Sequence, residues 1–111
     1  MTFLQCRAYL EKLQRFGIKL GLENIRAVLA SFGDPHHTFP SVLVAGTNGK
    51  GSVCAMIARV LVEHKFKVGL YTSPHLVRIE ERIRIGERLI SQNDFCRLLN
   101  LIRRKIEGLL R

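Results

Sequence analysis

Ser41-Val42-Leu43-Val44-Ala45-Gly46-Thr47-Asn48-Gly49-Lys50-Gly51-Ser52 joins a short apolar run to a glycine-rich loop. The first five residues carry no charge and are rich in β-branched side chains, which predicts a strand buried on both faces. Beyond the loop, Val53, Met56, Ile57, Val60 and Leu61 recur at helical spacing and form one apolar stripe. Lys67-Val68-Gly69-Leu70-Tyr71 reads as a second strand. Strand, loop, helix and strand within residues 41–71 predict a parallel βαβ core with a right-handed crossover, and so an α/β fold class.

Two helices are predicted ahead of this unit. Tyr9, Leu10 and Leu13 follow Cys6 at helical intervals within residues 3–16, and Gly17 ends that pattern. Leu22, Ile25, Val28, Leu29 and Phe32 share one face of the second helix, which Gly33-Asp34-Pro35 stops. Gly17-Ile18-Lys19-Leu20-Gly21 forms the bend between them.

After the second strand, residues 72–82 show neither period, and residues 82–90 predict a hairpin turning near Gly86 and Glu87. Ser91, with Asp94 three positions on, caps a last helix whose apolar face is Phe95, Leu98, Leu99, Ile102 and Ile106. Two parallel strands are few for a sheet that needs cover on both faces. The expectation is a fragment of a longer enzyme.

With 111 residues and 47% apolar side chains, the chain suits one globular core rather than disorder. Eighteen basic against nine acidic residues give a net charge of +9 and favour anionic partners. Arg78, Arg82, Arg84 and Arg88 alternate with Glu80, Glu81 and Glu87, unlike the segregated basic block of a nucleic-acid tail. Cys6, Cys54 and Cys96 are odd in number and form no CxxC pair, pointing to reduced thiols and a cytoplasmic location. No signal-peptide pattern opens the chain, and no stretch of eighteen apolar residues predicts a membrane span.

A strand-to-helix junction binds phosphate when backbone N–H groups point inward at a helix N-terminus and a cation meets the outer phosphates. Gly46, Gly49 and Gly51 allow close backbone approach, Lys50 supplies the cation, and Thr47 and Ser52 offer hydroxyls. With Asn48, residues 46–52 form the candidate nucleotide-binding loop, and Lys50 is the candidate catalytic residue. The loop departs from G-x-x-x-x-G-K-[ST]: Val44 stands five before Gly49, and Gly51 separates Lys50 from Ser52.

That shortened form, Gly46-Thr47-Asn48-Gly49-Lys50-Gly51-Ser52, resembles the loop of the Mur ligase superfamily. The chain is similar, within it, to the folylpolyglutamate synthase and dihydrofolate synthase family. Three stretches carry the resemblance: residues 17–25, residues 44–53, and Tyr71-Thr72-Ser73-Pro74-His75-Leu76 continuing to Glu81-Arg82-Ile83. It implies a Mur-ligase-like ATPase domain and an enzyme that activates a carboxylate with ATP as an acyl phosphate, which the amine of L-glutamate displaces. Folate and dihydropteroate are the implied carboxylate substrates, ATP and Mg²⁺ the implied cofactors, and a monomer the implied state of the longer enzyme.

The resemblance implies further that Ser73 gives an oxygen to Mg²⁺ and that Lys19, Leu20 and Gly21 lie in a pterin-contacting segment. Lys19 departs from the aspartate that can stand there in dihydrofolate-making members, which sets dihydropteroate use apart from folate use. By residue type alone, Ser73 before Pro74 is a turn residue. Other readings are a Mur-type ligase of cell-wall precursors, which would lack the 72–82 stretch, and a non-catalytic nucleotide-binding module. His36 and His37 lack further ligands at metal-site spacing, and His64 ends a helix where a cation complements the dipole. Arg82 is the arginine best placed to serve the architecture of the 72–82 loop.

Overall fold

The computed structural model describes residues 2–15 and 22–109, so that Lys19, Leu20 and Gly21 lie outside the described residues. The helices are α1 (Phe3–Arg15), α2 (Glu23–Ser31), α3 (Lys50–Glu63) and α4 (Gln92–Leu109). The strands are β1 (Gly69–Tyr71), β2 (Ile83–Ile85) and β3 (Arg88–Leu89). Two compact units result, one of residues Met1–Ser41 with Asn93–Arg111, the other of Val42–Gln92.

In the first unit α1 begins with a reciprocal cap. Thr2 N–H donates to Gln5 Oε1 at 2.9 Å, and Gln5 N–H donates to Thr2 Oγ1 at 3.2 Å. Cys6 is fully buried, and Phe95 and Leu99 of α4 are nearly so. The Phe3 and Phe95 rings meet edge-on, with centroids 6.0 Å apart and planes inclined at 69°. Burial, aided by a hydrogen bond with Cys96, pushes the Cys6 thiol up to about 11, so it stays protonated and packs as a small hydrophobe. Leu98 and Ile102, assigned by periodicity to the same face of α4, are about two-fifths exposed. The buried stripe is therefore narrower than the pattern suggested.

In the second unit the sheet order is β1-β2-β3, antiparallel throughout, with Leu70 opposite Arg84 and Arg84 opposite Leu89. Gly86, at φ +65°, makes the predicted hairpin turn. α3 packs on β1. Arg59 of α3 pairs with Glu87 of the turn and, at 2.7 Å, with Glu63 one helical turn on.

The α/β class and the helix between residues 41–45 and β1 hold, with no parallel ladder among the described residues. Residues 41–45 belong to no strand, and the ladder built on β1 is antiparallel. A parallel ladder needs cover on both faces. Val42 and Leu43 are 70% and 92% exposed, so the run that reads as a doubly buried strand has neither cover nor a pairing neighbour among the described residues. The hairpin, closed by a two-residue turn, needs no such cover.

The connection after β1 contains a structure that periodicity could not show, a 3-10 turn over Ile79–Arg82. The Glu81 carboxylate accepts three backbone N–H groups from the preceding loop: Leu76 at 3.0 Å, Val77 at 3.1 Å and Arg78 at 2.8 Å. Glu81 N–H donates back to the Arg78 carbonyl at 3.0 Å. Glu80, almost wholly buried, is met by Arg78 Nε at 3.2 Å and Gln92 Nε2 at 3.4 Å.

Two outcomes follow from this packing. Phe95→Ala removes an aromatic group from the α1–α4 contact and should lower unfolding free energy by about 3 kcal/mol in denaturant titration. A loss under 1 kcal/mol would show that the ring is not a core element. The donors from Arg78 and Leu76, then Val77, hold the Glu81 carboxyl below the usual glutamate range against a smaller opposing effect of burial. A lowered folded-state value means the cap is complete above the unfolded-state value and is lost as pH falls through the folded one. The amide resonances of Leu76, Val77 and Arg78 should therefore move together in acid, with a midpoint below that of a model-peptide glutamate; separate midpoints would contradict a shared acceptor.

Candidate nucleotide-binding site

The extended segment 42–45 enters α3 through a turn whose N-cap, Gly49, sits at φ +74° and ψ 1°. This left-handed conformation is strained for any residue with a Cβ, which accounts for glycine there. No side chain caps the helix, and Val53 N–H is the first to find a helical acceptor, the Gly49 carbonyl at 3.0 Å. The N–H groups of Lys50, Gly51 and Ser52 thus have no backbone acceptor among the described residues. They coincide with the positive end of a 14-residue helix, the arrangement that receives an anion.

Lys50 is the first residue of α3 and lies exposed, with no carboxylate in ion-pair range among the described residues. Gly51 follows inside the helix, where glycine is about 1 kcal/mol worse than alanine. A Cβ built on Gly51 meets no atom within 4 Å. The fold has no packing reason for this glycine. Open space before an uncapped helix end fits a phosphate chain lying against the backbone. Thr47, Asn48 and Ser52 are likewise exposed.

Ser73 lies in the same unit, two residues past β1, and is exposed. Thr72 N–H donates to the Arg82 carbonyl at 2.9 Å, and Arg82 Nε donates to His75 Nδ1 at 2.7 Å. The structure thus gives His75 a hydrogen-bond partner and Arg82 the architectural place expected of it. Glu80 and Glu81, to which the sequence reading gave no role of their own, anchor the loop instead. Glu81 stands at capping-box spacing from Arg78, but an arginine at the N-cap has no side-chain acceptor, so the sequence carried no capping-box signal. Glu80 had no signal either, because its burial depends on Gln92 far along the chain.

The His36 and His37 rings lie tilted at 50° with centroids 4.1 Å apart. No group of three or more His, Cys, Asp or Glu residues is placed to hold a metal among the described residues. None of the described helices is long and apolar enough to cross a membrane.

No protein-family model matches the chain. It is 34% identical over 97% of its length to the dihydrofolate synthase/folylpolyglutamate synthase of Bacillus subtilis, covering 25% of that protein. The apo form of the L. casei folylpolyglutamate synthase superposes with a TM-score of 0.90 at 33% identity, over 98% of this chain and 27% of that one. A folylpolyglutamate synthase bound to AMPPCP and folate gives a TM-score of 0.85 at 32% identity, over 98% of this chain and 27% of that one. Against the curated relatives with the longest overlaps the chain spans between 11% and 25% of their length. Sequence agreement along almost the whole chain, together with superposition over 98% of its residues, shows that the chain belongs to the folylpolyglutamate synthase and dihydrofolate synthase family.

Proposed function

We propose that this chain carries the ATP grip of a ligase that adds L-glutamate to folate through an acyl phosphate, with dihydropteroate use set apart by the lysine at position 19. The observation that carries the reading is the uncapped N-terminus of α3, with three N–H groups that have no backbone acceptor among the described residues, Lys50 at the first position and free space over Gly51. That relatives of this family include one seen with AMPPCP and folate supports it. In this reading residues 1–111 are the N-terminal part of the ATP-binding domain, and the rest of that domain and a C-terminal ligase domain complete the site. Free Cys6, Cys54 and Cys96 support a cytoplasmic enzyme.

Residues 46–52 wrap the triphosphate. Backbone N–H groups at the start of α3 bind its oxygens, and the Lys50 ammonium offsets charge as the phosphoryl group moves to the substrate carboxylate. Positioning provides much of the remaining acceleration. Mg²⁺ takes hard oxygen donors and keeps several waters, so one protein hydroxyl beside phosphate oxygens fits it. The exposed Ser73 hydroxyl meets that requirement, and with no three-ligand cluster among the described residues the phosphates would hold most of the ion. When bound, the ion neutralises phosphate charge. Lys19, Leu20 and Gly21 belong, in the same reading, to the pterin contact.

Lys50→Ala in the complete enzyme should lower kcat for folate-dependent ADP release by about a hundredfold or more. Unchanged turnover would refute the role of Lys50, and activity confined to a peptidoglycan precursor would reject the folate assignment. Gly51→Ala should act in opposite directions on two measurements: helix stability rises by up to about 1 kcal/mol, while AMPPCP affinity falls. Affinity that is unchanged or improved would show that the space over Gly51 is not used by the nucleotide.

A further inference from the structure

The loop from Thr72 to Arg78 is tied down at five of its seven residues. Thr72 is held by the Arg82 carbonyl, His75 by Arg82 Nε, and Leu76, Val77 and Arg78 by the Glu81 carboxylate. Ser73 and Pro74 alone have no tie of this kind to the Ile79–Arg82 turn. They span the short gap between the anchors at Thr72 and His75.

Apolar burial does not hold this loop. Leu76 and Val77 are 92% and 77% exposed, so the hydrogen bonds to Glu81 and Arg82 fix its course. Glu81 is itself committed: its two oxygens already take three donors, which suits it to orienting a backbone rather than to ligating an ion. The Ile79–Arg82 turn is anchored in its turn by buried Glu80, held between Arg78 and Gln92. A loop ordered before binding loses less conformational entropy when it engages a ligand.

We propose that Glu81 and Arg82 are positioning residues that hold the 72–78 loop so that the Ser73 hydroxyl faces the Mg²⁺ of the bound nucleotide. The proposal rests on the function proposed above and adds to it the residues that set the Ser73 geometry. Glu81 acts through backbone N–H groups alone. Arg82 acts through its own carbonyl on one side of Ser73 and through His75 on the other.

The test is AMPPCP binding to the complete enzyme by titration calorimetry, with Mg²⁺ varied and with Mg²⁺ chelated. Ser73→Ala should raise the Mg²⁺ concentration for half-maximal enhancement of binding by about tenfold, and Glu81→Ala should do the same through the loop. The double variant should be no worse than Ser73→Ala, because both changes remove one interaction. Affinity without Mg²⁺ should stay within about twofold in every variant, which a general structural defect would not allow. Glu81→Gln, which keeps one acceptor oxygen and the side-chain volume, should give a smaller shift and stands in if Glu81→Ala fails to fold.

A Ser73→Ala shift beside unchanged Glu81→Ala and Glu81→Gln would overturn the positioning role and leave the functional reading intact. Additive shifts, or equal losses with and without Mg²⁺, would overturn it as well. A silent Ser73→Ala would overturn both the Ser73 assignment and its positioning. Failure of the parent enzyme to bind AMPPCP at all would reject the functional reading itself.

Discussion

The left-handed turn at Gly49 governs the second unit. It swings the chain out of the extended segment 42–45 and starts α3 with no side chain over its end. An uncapped helix terminus leaves polar groups that must be met by water or by a ligand. An N-cap serine or aspartate would have satisfied one of them internally and stabilised the helix by about 1 kcal/mol. The chain forgoes that gain at the point where an anion can take its place, and Gly51 adds a second sacrifice of helix stability beside it.

Around this turn the charges divide by duty. Lys50 has no ion pair among the described residues, while Arg59, Arg78 and Arg82 are each engaged with a neighbour, so the surplus of positive charge is not uniformly available. Arg59 joins α3 to the hairpin across exposed surface, where an ion pair contributes little alone. Arg78 accompanies the buried carboxylate of Glu80, and burying that charge without a partner would be far more costly. The acidic residues of the 80–81 pair thus serve the interior and the loop rather than the solvent.

Much of this was legible in the sequence because the relevant signals are local. Helical spacing placed α3 and α4, Gly86 placed the hairpin, and the glycines with Lys50 marked the loop. What escaped was whatever depends on a neighbour. Residues 41–45 have the composition of a strand, but a strand exists only against a partner, and Val42 and Leu43 have none among the described residues. Periodicity likewise could not place Glu80 and Glu81, since a carboxylate's role is set by the donors that reach it. Conversely, the Gly17–Gly21 bend, which includes the segment aligned with pterin contacts, lies outside the described residues.

The contact between Phe3 and Phe95 has a consequence for synthesis. These rings, about ninety positions apart, join the two sequence segments that make up the first unit. During translation α1 emerges long before α4 exists, and Cys6 must wait exposed until Phe95 and Cys96 leave the ribosome. Residues 42–92, whose widest sheet pairing joins Gly69 to Ile85, can meanwhile fold first. The order in which the two units mature is therefore the reverse of the order in which their first residues are made.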